Sequence, residues 1–357
     1  MSKTRVLVVD DSALMRQLIT EILSSAPDIE VVGSASDPYR ARDAILQLKP
    51  DVMTLDVEMP RMDGITFLQK LMSGHPMPVV MVSSLTEKGC DTTIRALELG
   101  AVDFVTKPKI DVTNGMGELG TDIIDKVRAA ARAKVRRRAP SEELPTAAAA
   151  TTSGEAMLAG ATHKVIAIGA STGGTEALLR VLSAMPSDAP GIVAVIHMPP
   201  GFTASYSRRL NDLCALHVSE AVDGDPILPG HALIAPGNFH MEVRRSGARY
   251  FTVVREGQRV CQHRPSVDVL FNSCARTLGS NGVGVILTGM GNDGAEGLLA
   301  MRNAGAATFG QNEATCVVYG MPAAADEAGA VETILPLDDI APAVLSKVRT
   351  MDPVRCG

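Results

Sequence analysis

Ser171, His197 and Asp293 stand far apart in the chain, yet they are the three residue types of acyl transfer: a hydroxyl nucleophile, a base and an orienting acid. The serine lies in Gly169-Ala-Ser171-Thr-Gly173-Gly174, which satisfies Gly-x-Ser-x-Gly, and the glycines allow a sharp turn and a close approach of backbone to substrate. A neutral hydroxyl is a poor nucleophile. An imidazole titrates near neutral pH, so His197 can take the serine proton and later return it to a leaving group. Asp293 would hold the imidazole tautomer and stabilise its charged form. The glycine-rich stretch Thr288-Gly-Met290-Gly-Asn-Asp293-Gly294 exposes backbone N–H groups around Met290 that can receive a developing oxyanion. Each residue also has an ordinary explanation: Ser171 as a helix cap or part of a phosphate-binding glycine turn, His197 as a satisfied strand-end histidine, Asp293 as a turn residue. The order Ser, His, Asp differs from the Ser, Asp, His of the α/β hydrolases, so that superfamily does not follow from the glycine motif.

A second group of residues suits phosphoryl chemistry. Asp10 and Asp11 follow one apolar run, Asp56 ends another, Ser83 a third, and Lys107-Pro108 follows a fourth. Three carboxylates on one edge repel each other unless a hard divalent cation with oxygen ligands, such as Mg2+, sits among them. Such an ion would also screen an incoming phosphoryl group, so Asp56 can attack phosphorus as a carboxylate nucleophile while Lys107 and the Ser83 hydroxyl hold the phosphoryl oxygens. A single aspartate at a strand end is ordinarily a cap or a solvated turn. Asp-Asp, a central Asp and a Lys-Pro at matching strand ends go beyond that.

The elements that must position these groups alternate. In the first part, Arg5–Val9, Glu30–Gly33, Asp51–Leu55, Val79–Val82 and Ala101–Val105 read as strands, separated by helical patterns. The first helix shows Leu14, Leu18, Ile19 and Ile22 on one stripe, with Asp11 or Ser12 as cap. Five such units predict a doubly wound parallel five-stranded sheet with its site at the carboxyl ends of the strands. From His163 the alternation resumes: Val165–Ile168, Ile192–Ile196, His231–Ala235 and Val283–Leu287 read as strands, and Met241–Arg244 with Arg249–Val254 as a hairpin around Ser246-Gly247. A second α/β domain follows, with a mainly parallel sheet and an antiparallel hairpin excursion.

The 357 residues are too many for one ordinary core. The reading places one domain at residues 1–125, a basic and then Ala/Thr/Ser-rich linker at 126–160, and a second domain at 161–350. A linker of about 30 residues spans roughly 30 Å, enough for the halves to dock or separate. The basic run from Lys126 to Arg138 is best explained as a solvated helix face. A formal charge of −6, 3% aromatic residues and no base-reading motif argue against a nucleic-acid partner. No apolar run approaches the ~20 residues that span a bilayer, and the first residues lack a signal-peptide layout. The six cysteines are scattered without a Cys-x-x-Cys pair and read as reduced, mostly core residues of a cytoplasmic protein.

Residues 1 to about 125 resemble a response-regulator receiver domain. The resemblance implies that Asp56 takes the phosphoryl group, that Asp10 and Asp11 bind Mg2+ with it, that Ser83, or the adjacent Ser84 in its place, and Lys107 contact the phosphoryl group, and that Phe104 is the aromatic switch residue. The second half carries Gly169-Ala-Ser-Thr-Gly-Gly174, His197-Met-Pro-Pro-Gly-Phe202, His263-Arg-Pro-Ser-Val-Asp-Val-Leu-Phe271, Gly284-Val-Ile-Leu-Thr-Gly-Met-Gly-Asn-Asp-Gly294 and Gln311-Asn-Glu-Ala-Thr-Cys-Val-Val-Tyr-Gly-Met-Pro322. These motifs resemble the chemotaxis protein-glutamate methylesterases, the CheB family. The resemblance implies hydrolysis of glutamate γ-methyl esters on chemoreceptor helices with release of methanol, deamidation of receptor glutamines, a histidine kinase as phosphodonor, and no cofactor for the esterase step. A phosphorylatable module ahead of a site that must admit a large substrate points to phosphorylation favouring the accessible state. Three other readings remain open to test: a non-enzymatic phosphorylation-dependent binding protein, a DNA-binding regulator, and an esterase or amidase of small molecules.

Overall fold

Short β-branched runs separated by amphipathic helices can bury both sheet faces only by winding helices over a parallel sheet. That is what the computed structural model contains, twice; it describes residues 3–84, 86–107, 115–135 and 163–351. By spatial contact the chain divides into two units, Met1–Glu142 and Glu143–Gly357.

The first unit runs β1 (Thr4–Val9), α1 (Ala13–Ser24), β2 (Ile29–Ala35), α2 (Pro38–Leu48), β3 (Val52–Asp56), α3 (Gly64–Gly74), β4 (Val79–Ser83), α4 (Glu87–Glu98), β5 (Asp103–Thr106) and α5 (Gly115–Arg132). The sheet order is β2-β1-β3-β4-β5, with every pairing parallel. Val9 pairs with Leu55 and Asp56 with Val82, so residues just past β1, β3 and β4 share one edge. Ser12 caps α1, its Oγ accepting from the Met15 N–H. The stripe that α1 buries is Met15, Ile19 and Leu23, whereas Leu14 is 54% exposed. The expected stripe was displaced because apolar residues cover a wide arc of this helix. Each of the three buried side chains contributes ~1.5–3 kcal/mol.

Two further expectations change. The boundary at residue 125 falls inside α5, which continues to Arg132. Nor is the basic run wholly solvated: Lys126 is half-buried against β5, 3.3 Å from Asp103 and 3.8 Å from Asp122, with its ammonium donating to the Phe104 carbonyl. Burial opposes its charge, but the two aspartates outweigh this and hold the ammonium above its ordinary range. Arg128 pairs with Asp28 at 2.7 Å and Asp125 at 3.2 Å. Residues 136–160 of the expected linker lie outside the described residues.

The second unit runs β6 (Val165–Ala170), α6 (Gly174–Ser183), β7 (Gly191–Ile196), α7 (Phe202–Leu213), β8 (His217–Glu220), β9 (His231–Ile234), β10 (His240–Ser246), β11 (Arg249–Arg255), α8 (Val267–Leu278), β12 (Gly282–Ile286), α9 (Ala295–Asn303), β13 (Ala307–Gln311), α10 (Met321–Glu327), β14 (Thr333–Leu335) and α11 (Leu337–Thr350). Seven strands pair in parallel in the order β14-β13-β12-β6-β7-β9-β8, and β10 and β11 form a separate antiparallel hairpin. The central strands β6, β7 and β12 are buried at every residue. Their carboxyl ends are therefore adjacent.

Candidate active site

Strand β6 ends at Ala170, and the chain turns through Ser171, Thr172 and Gly173 before α6 begins. Gly173 has φ +75°, and a Cβ there would lie 2.5 Å from the Cβ of Val317, so the turn admits no side chain. The turn is held from both sides: the Ser171 N–H donates to the Thr288 carbonyl at 3.0 Å, and the Thr288 hydroxyl donates to the Thr172 carbonyl at 3.0 Å. Gly289 is pressed against it, since a Cβ there would lie 2.8 Å from the Ser171 Cβ. The backbone at Met290 follows directly.

His197 follows β7, and its N–H bonds the Ala170 carbonyl at 3.3 Å. Its Nδ1 lies 3.1 Å from Ser171 Oγ, and its Nε2 lies 2.8 Å from Asp293 Oδ2. The ring of His263 stacks on that of His197, with centroids 3.6 Å apart and planes at 12°. The serine thus faces Nδ1, the reverse of the arrangement in which Nε2 faces the nucleophile.

Asp293, in the loop between β12 and α9, is buried at the N-terminus of α8. Its Oδ1 accepts from Ser266 Oγ at 2.8 Å and the Asp268 N–H at 2.9 Å, and Oδ2 from the Val267 N–H at 2.8 Å besides His197. Burial alone would raise this carboxyl. The bond and charge of His197 and the Asp268 and Val267 N–H groups outweigh it and hold the carboxyl at about 2. An ionised Asp293 only accepts hydrogen bonds, so Nε2 carries the imidazole proton and Nδ1 keeps a lone pair for the serine O–H.

On the first unit, Asp10 and Asp56 are fully buried at the sheet edge and Asp11 is exposed beside them. Their carboxylates offer oxygens within 4.8 Å of one another. Lys107 Nζ lies 2.8 Å from Asp56 Oδ1 and 3.5 Å from Asp10 Oδ2. Asp56 Oδ2 is buried with no hydrogen-bond donor, and Asp10 Oδ2 has only the Lys107 ammonium at ion-pair distance. Burial pushes the Asp56 carboxyl up to about 6, against the lowering effect of Lys107 and with the help of the Asp10 charge. An all-oxygen set with an orphaned buried acceptor on Asp56 fits Mg2+.

The family models that match are "CheB methylesterase" over residues 166–344 and "Response regulator receiver domain" over residues 6–113. A curated relative from Salmonella choleraesuis (strain SC-B67), named protein-glutamate methylesterase/protein-glutamine glutaminase, is 55% identical over 355 residues, covering 99% of this chain and 100% of the relative. The chain belongs to the CheB methylesterase family. A CheB-family relative of the same name from Escherichia coli (strain K12) is likewise 55% identical over 355 residues. The solved CheB methylesterase catalytic domain of Thermotoga maritima matches with a TM-score of 0.51 at 36% identity, over 52% of this chain and 98% of that one.

Two more of the expected residues of this CheB-family chain are held by partners of their own. The Ser83 hydroxyl is buried against α4, where it receives the Thr93 hydroxyl at 2.7 Å and lies 3.3 Å from the Gly89 carbonyl. Phe104 is 2% exposed, its ring 4.9 Å beneath the Lys126 ammonium. Sequence reasoning assigned no role to Ser266 and the first N–H groups of α8, which seat Asp293. The signal was present: a serine just ahead of the apolar run Val267-Asp-Val-Leu270 is a helix N-cap, and Ser266 Oγ also accepts from the Val269 N–H.

Proposed function

We propose that this chain hydrolyses glutamate γ-methyl esters on chemoreceptor cytoplasmic helices, releasing methanol, deamidates receptor glutamines at the same site, and is activated by phosphorylation of Asp56. The observation that carries the reading is the continuous relay from the α8 N-terminus through Asp293 and His197 to Ser171. The names of its family relatives support the same activity.

Ser171 Oγ attacks the side-chain carbonyl carbon, and its proton passes to His197 Nδ1. The positive imidazole is stabilised by Asp293, and the oxyanion is received by backbone N–H groups at Met290. The carbon–methoxyl bond breaks as His197 returns the proton, giving methanol and an acyl-serine. Water, deprotonated by His197, then attacks the acyl carbon, and the bond to Ser171 Oγ breaks as His197 returns the proton to that oxygen, freeing the carboxylate. For a glutamine the departing nitrogen takes that proton and leaves as ammonia, and nothing in the route calls for a cofactor. Because Asp293 is deeply ionised, the relay keeps its polarity across the physiological range.

On the receiver, Asp10, Asp11 and Asp56 would hold Mg2+, which when bound screens the charge of the incoming phosphoryl group. A carboxyl at about 6 is mostly ionised at neutral pH, so Asp56 is available as nucleophile toward a phosphohistidine donor of the chemotaxis kinase. Lys107 contacts the phosphoryl oxygens. Ser83 joins it only by exchanging its α4 partners, an exchange that would couple phosphorylation to α4. The receiver domain extends through α5, the catalytic domain begins by β6, and the compartment is the cytoplasm.

The test is methanol release from a methylated receptor cytoplasmic fragment, with and without a small phosphodonor. Release should require Ser171 and rise with the phosphodonor only when Asp56 is present. Wild-type turnover confined to small esters would sink the receptor assignment.

A further inference from the structure

Behind Asp293 lies a group of side chains that the hydrolytic relay does not use. Val260 and His263 exchange backbone hydrogen bonds of 3.1 and 2.8 Å across a two-residue turn, and Cys261 and Gln262 occupy it at φ 48° and 67°. This turn carries His263 onto the ring of His197 and places the exposed Cys261 thiol 3.7 Å from Asp268 Oδ2. Asp268 is 5% exposed, its Oδ1 accepting from the Gly297 N–H at 2.7 Å. Cys261, Asp268 and Asp293 each offer a ligand atom within 4.8 Å of the others.

We propose that Cys261, Asp268 and Asp293 form a binding site for a thiophilic divalent cation such as Zn2+, and that an ion held there arrests the hydrolase. The geometry already has one edge of the site. A sulfur at ~2.3 Å and a carboxylate oxygen at ~2.1 Å from a tetrahedral ion lie about 3.6 Å apart, against the 3.7 Å between Cys261 Sγ and Asp268 Oδ2. The donors come from three separate segments, the 260–263 turn, α8 and the loop before α9, and the exposed thiol leaves a face open to water as fourth ligand.

Asp268 and Asp293 set two carboxylates beside the thiol, a donor set whose combined charge a dication offsets. On binding, the thiol proton leaves for solvent and the thiolate becomes a ligand. The sulfur donor also separates this site from the all-oxygen set of Asp10, Asp11 and Asp56, which suits Mg2+.

Inhibition follows from position, because Asp293 Oδ2 is the acceptor of His197 Nε2. A dication on Asp293 opposes the positive charge that His197 acquires when it takes the serine proton, and draws away the carboxylate that stabilises it. This consequence rests on the triad reading; the binding does not.

The experiment uses the full chain in excess Mg2+, to fill the receiver site, and has two arms. The first is a Cd2+ titration without substrate, followed by the thiolate-to-metal charge-transfer band. The second is a Zn2+ titration of ester hydrolysis, reversed with a Zn2+-selective chelator. The band should be lost in Cys261→Ser and retained in the control Cys214→Ser. Cys261→Ser should keep its metal-free rate within about twofold and need at least about tenfold more Zn2+ for half inhibition. Thermal unfolding and a Cys261→Ala chain guard against a folding defect. An unchanged Zn2+ midpoint in both Cys261 variants overturns the proposal, as does a band that survives them or full binding with no loss of rate. Failure of the hydrolase reading would leave the Cd2+ arm unaffected.

Discussion

Asparagine at position 293 keeps the shape of the aspartate and removes its ability to accept on both sides. Each carboxylate oxygen takes two donors, Oδ1 from Ser266 and the Asp268 N–H, and Oδ2 from His197 and the Val267 N–H. Whichever way the amide turns, its NH2 group confronts a buried backbone N–H, an unpaired donor that costs ~1–3 kcal/mol. For a unit of this size that is a fall in Tm of roughly 2–12 °C. With the NH2 toward His197, the imidazole must accept at Nε2 and carry its proton on Nδ1, where it blocks proton transfer from Ser171. With the oxygen toward His197, the tautomer survives but the imidazolium loses its counter-charge. Loss of the correct tautomer costs a triad ~10⁴-fold in turnover, about 5.4 kcal/mol of transition-state stabilisation. The assay is kcat/KM on a methylated receptor fragment, paired with thermal unfolding. A pH series adds a sign. Asp293 is held below its ordinary 3.8, at about 2, so its stabilisation is complete above 3.8 and fades as pH falls toward 2. The asparagine chain should lack that acid-side loss. A variant within about tenfold of wild type in kcat/KM would refute the assignment of Asp293 as the orienting group.

Asp56→Asn should stabilise the receiver at neutral pH. A carboxyl raised from 3.8 to about 6 contributes stability below 3.8 that is lost as pH rises through 6, a penalty of about 3 kcal/mol that the amide does not carry. Denaturant unfolding without Mg2+ at pH 7 and pH 3.5 should show the gain only at the higher pH. Mg2+ should stabilise the wild-type receiver by about 2.7 kcal/mol at a hundredfold excess over Kd, read as a higher unfolding temperature, and this response should be lost in Asp10→Asn. Gly289→Ala sets a Cβ 2.2 Å from Met321 Sδ and 2.8 Å from Ser171 Cβ. Displacement of the nucleophile should lower kcat/KM by ~10²-fold, while stability falls by ~1–3 kcal/mol. A larger effect on unfolding than on rate would show that Met321 alone yields.

The residues that end buried strands were readable because their runs are uniformly apolar: Val165–Ile168 and Ile192–Ile196 need no neighbours to declare themselves. Strands β8, β13 and β14 were not. His217-Val-Ser-Glu220 and Thr333-Ile-Leu335 are short edge strands with exposed positions, and β13 buries Thr308 and Gln311, whose polarity is matched by partners that only the fold supplies. Gln311 Oε1, for one, accepts the Thr288 N–H beside the nucleophile turn. In the site, side-chain types announced Ser171, His197 and Asp293, but not the ring nitrogen that each partner takes. That choice is set by which face of the imidazole the α8 N-terminus approaches, a relation between segments tens of residues apart. The contact of Ser83 with α4 was hidden for a similar reason, since a strand-end hydroxyl has partners on either side.

Strands β12, β6 and β7 lie side by side, and each delivers one member of the relay. Gly282 pairs with Val165, so the serine and its orienting acid meet only through pairing between segments more than a hundred residues apart in the sequence. During synthesis the chain therefore exposes Ser171 and His197 well before Asp293 and its α8 seat exist. The nascent protein carries a nucleophile with an unsupported base, and parallel pairing over such separations is slow. Hydrolytic competence should arrive late and all at once, with the insertion of β12 between β13 and β6. Recovery of turnover during refolding would then clock the closure of the central sheet, and lag behind signals from helix formation.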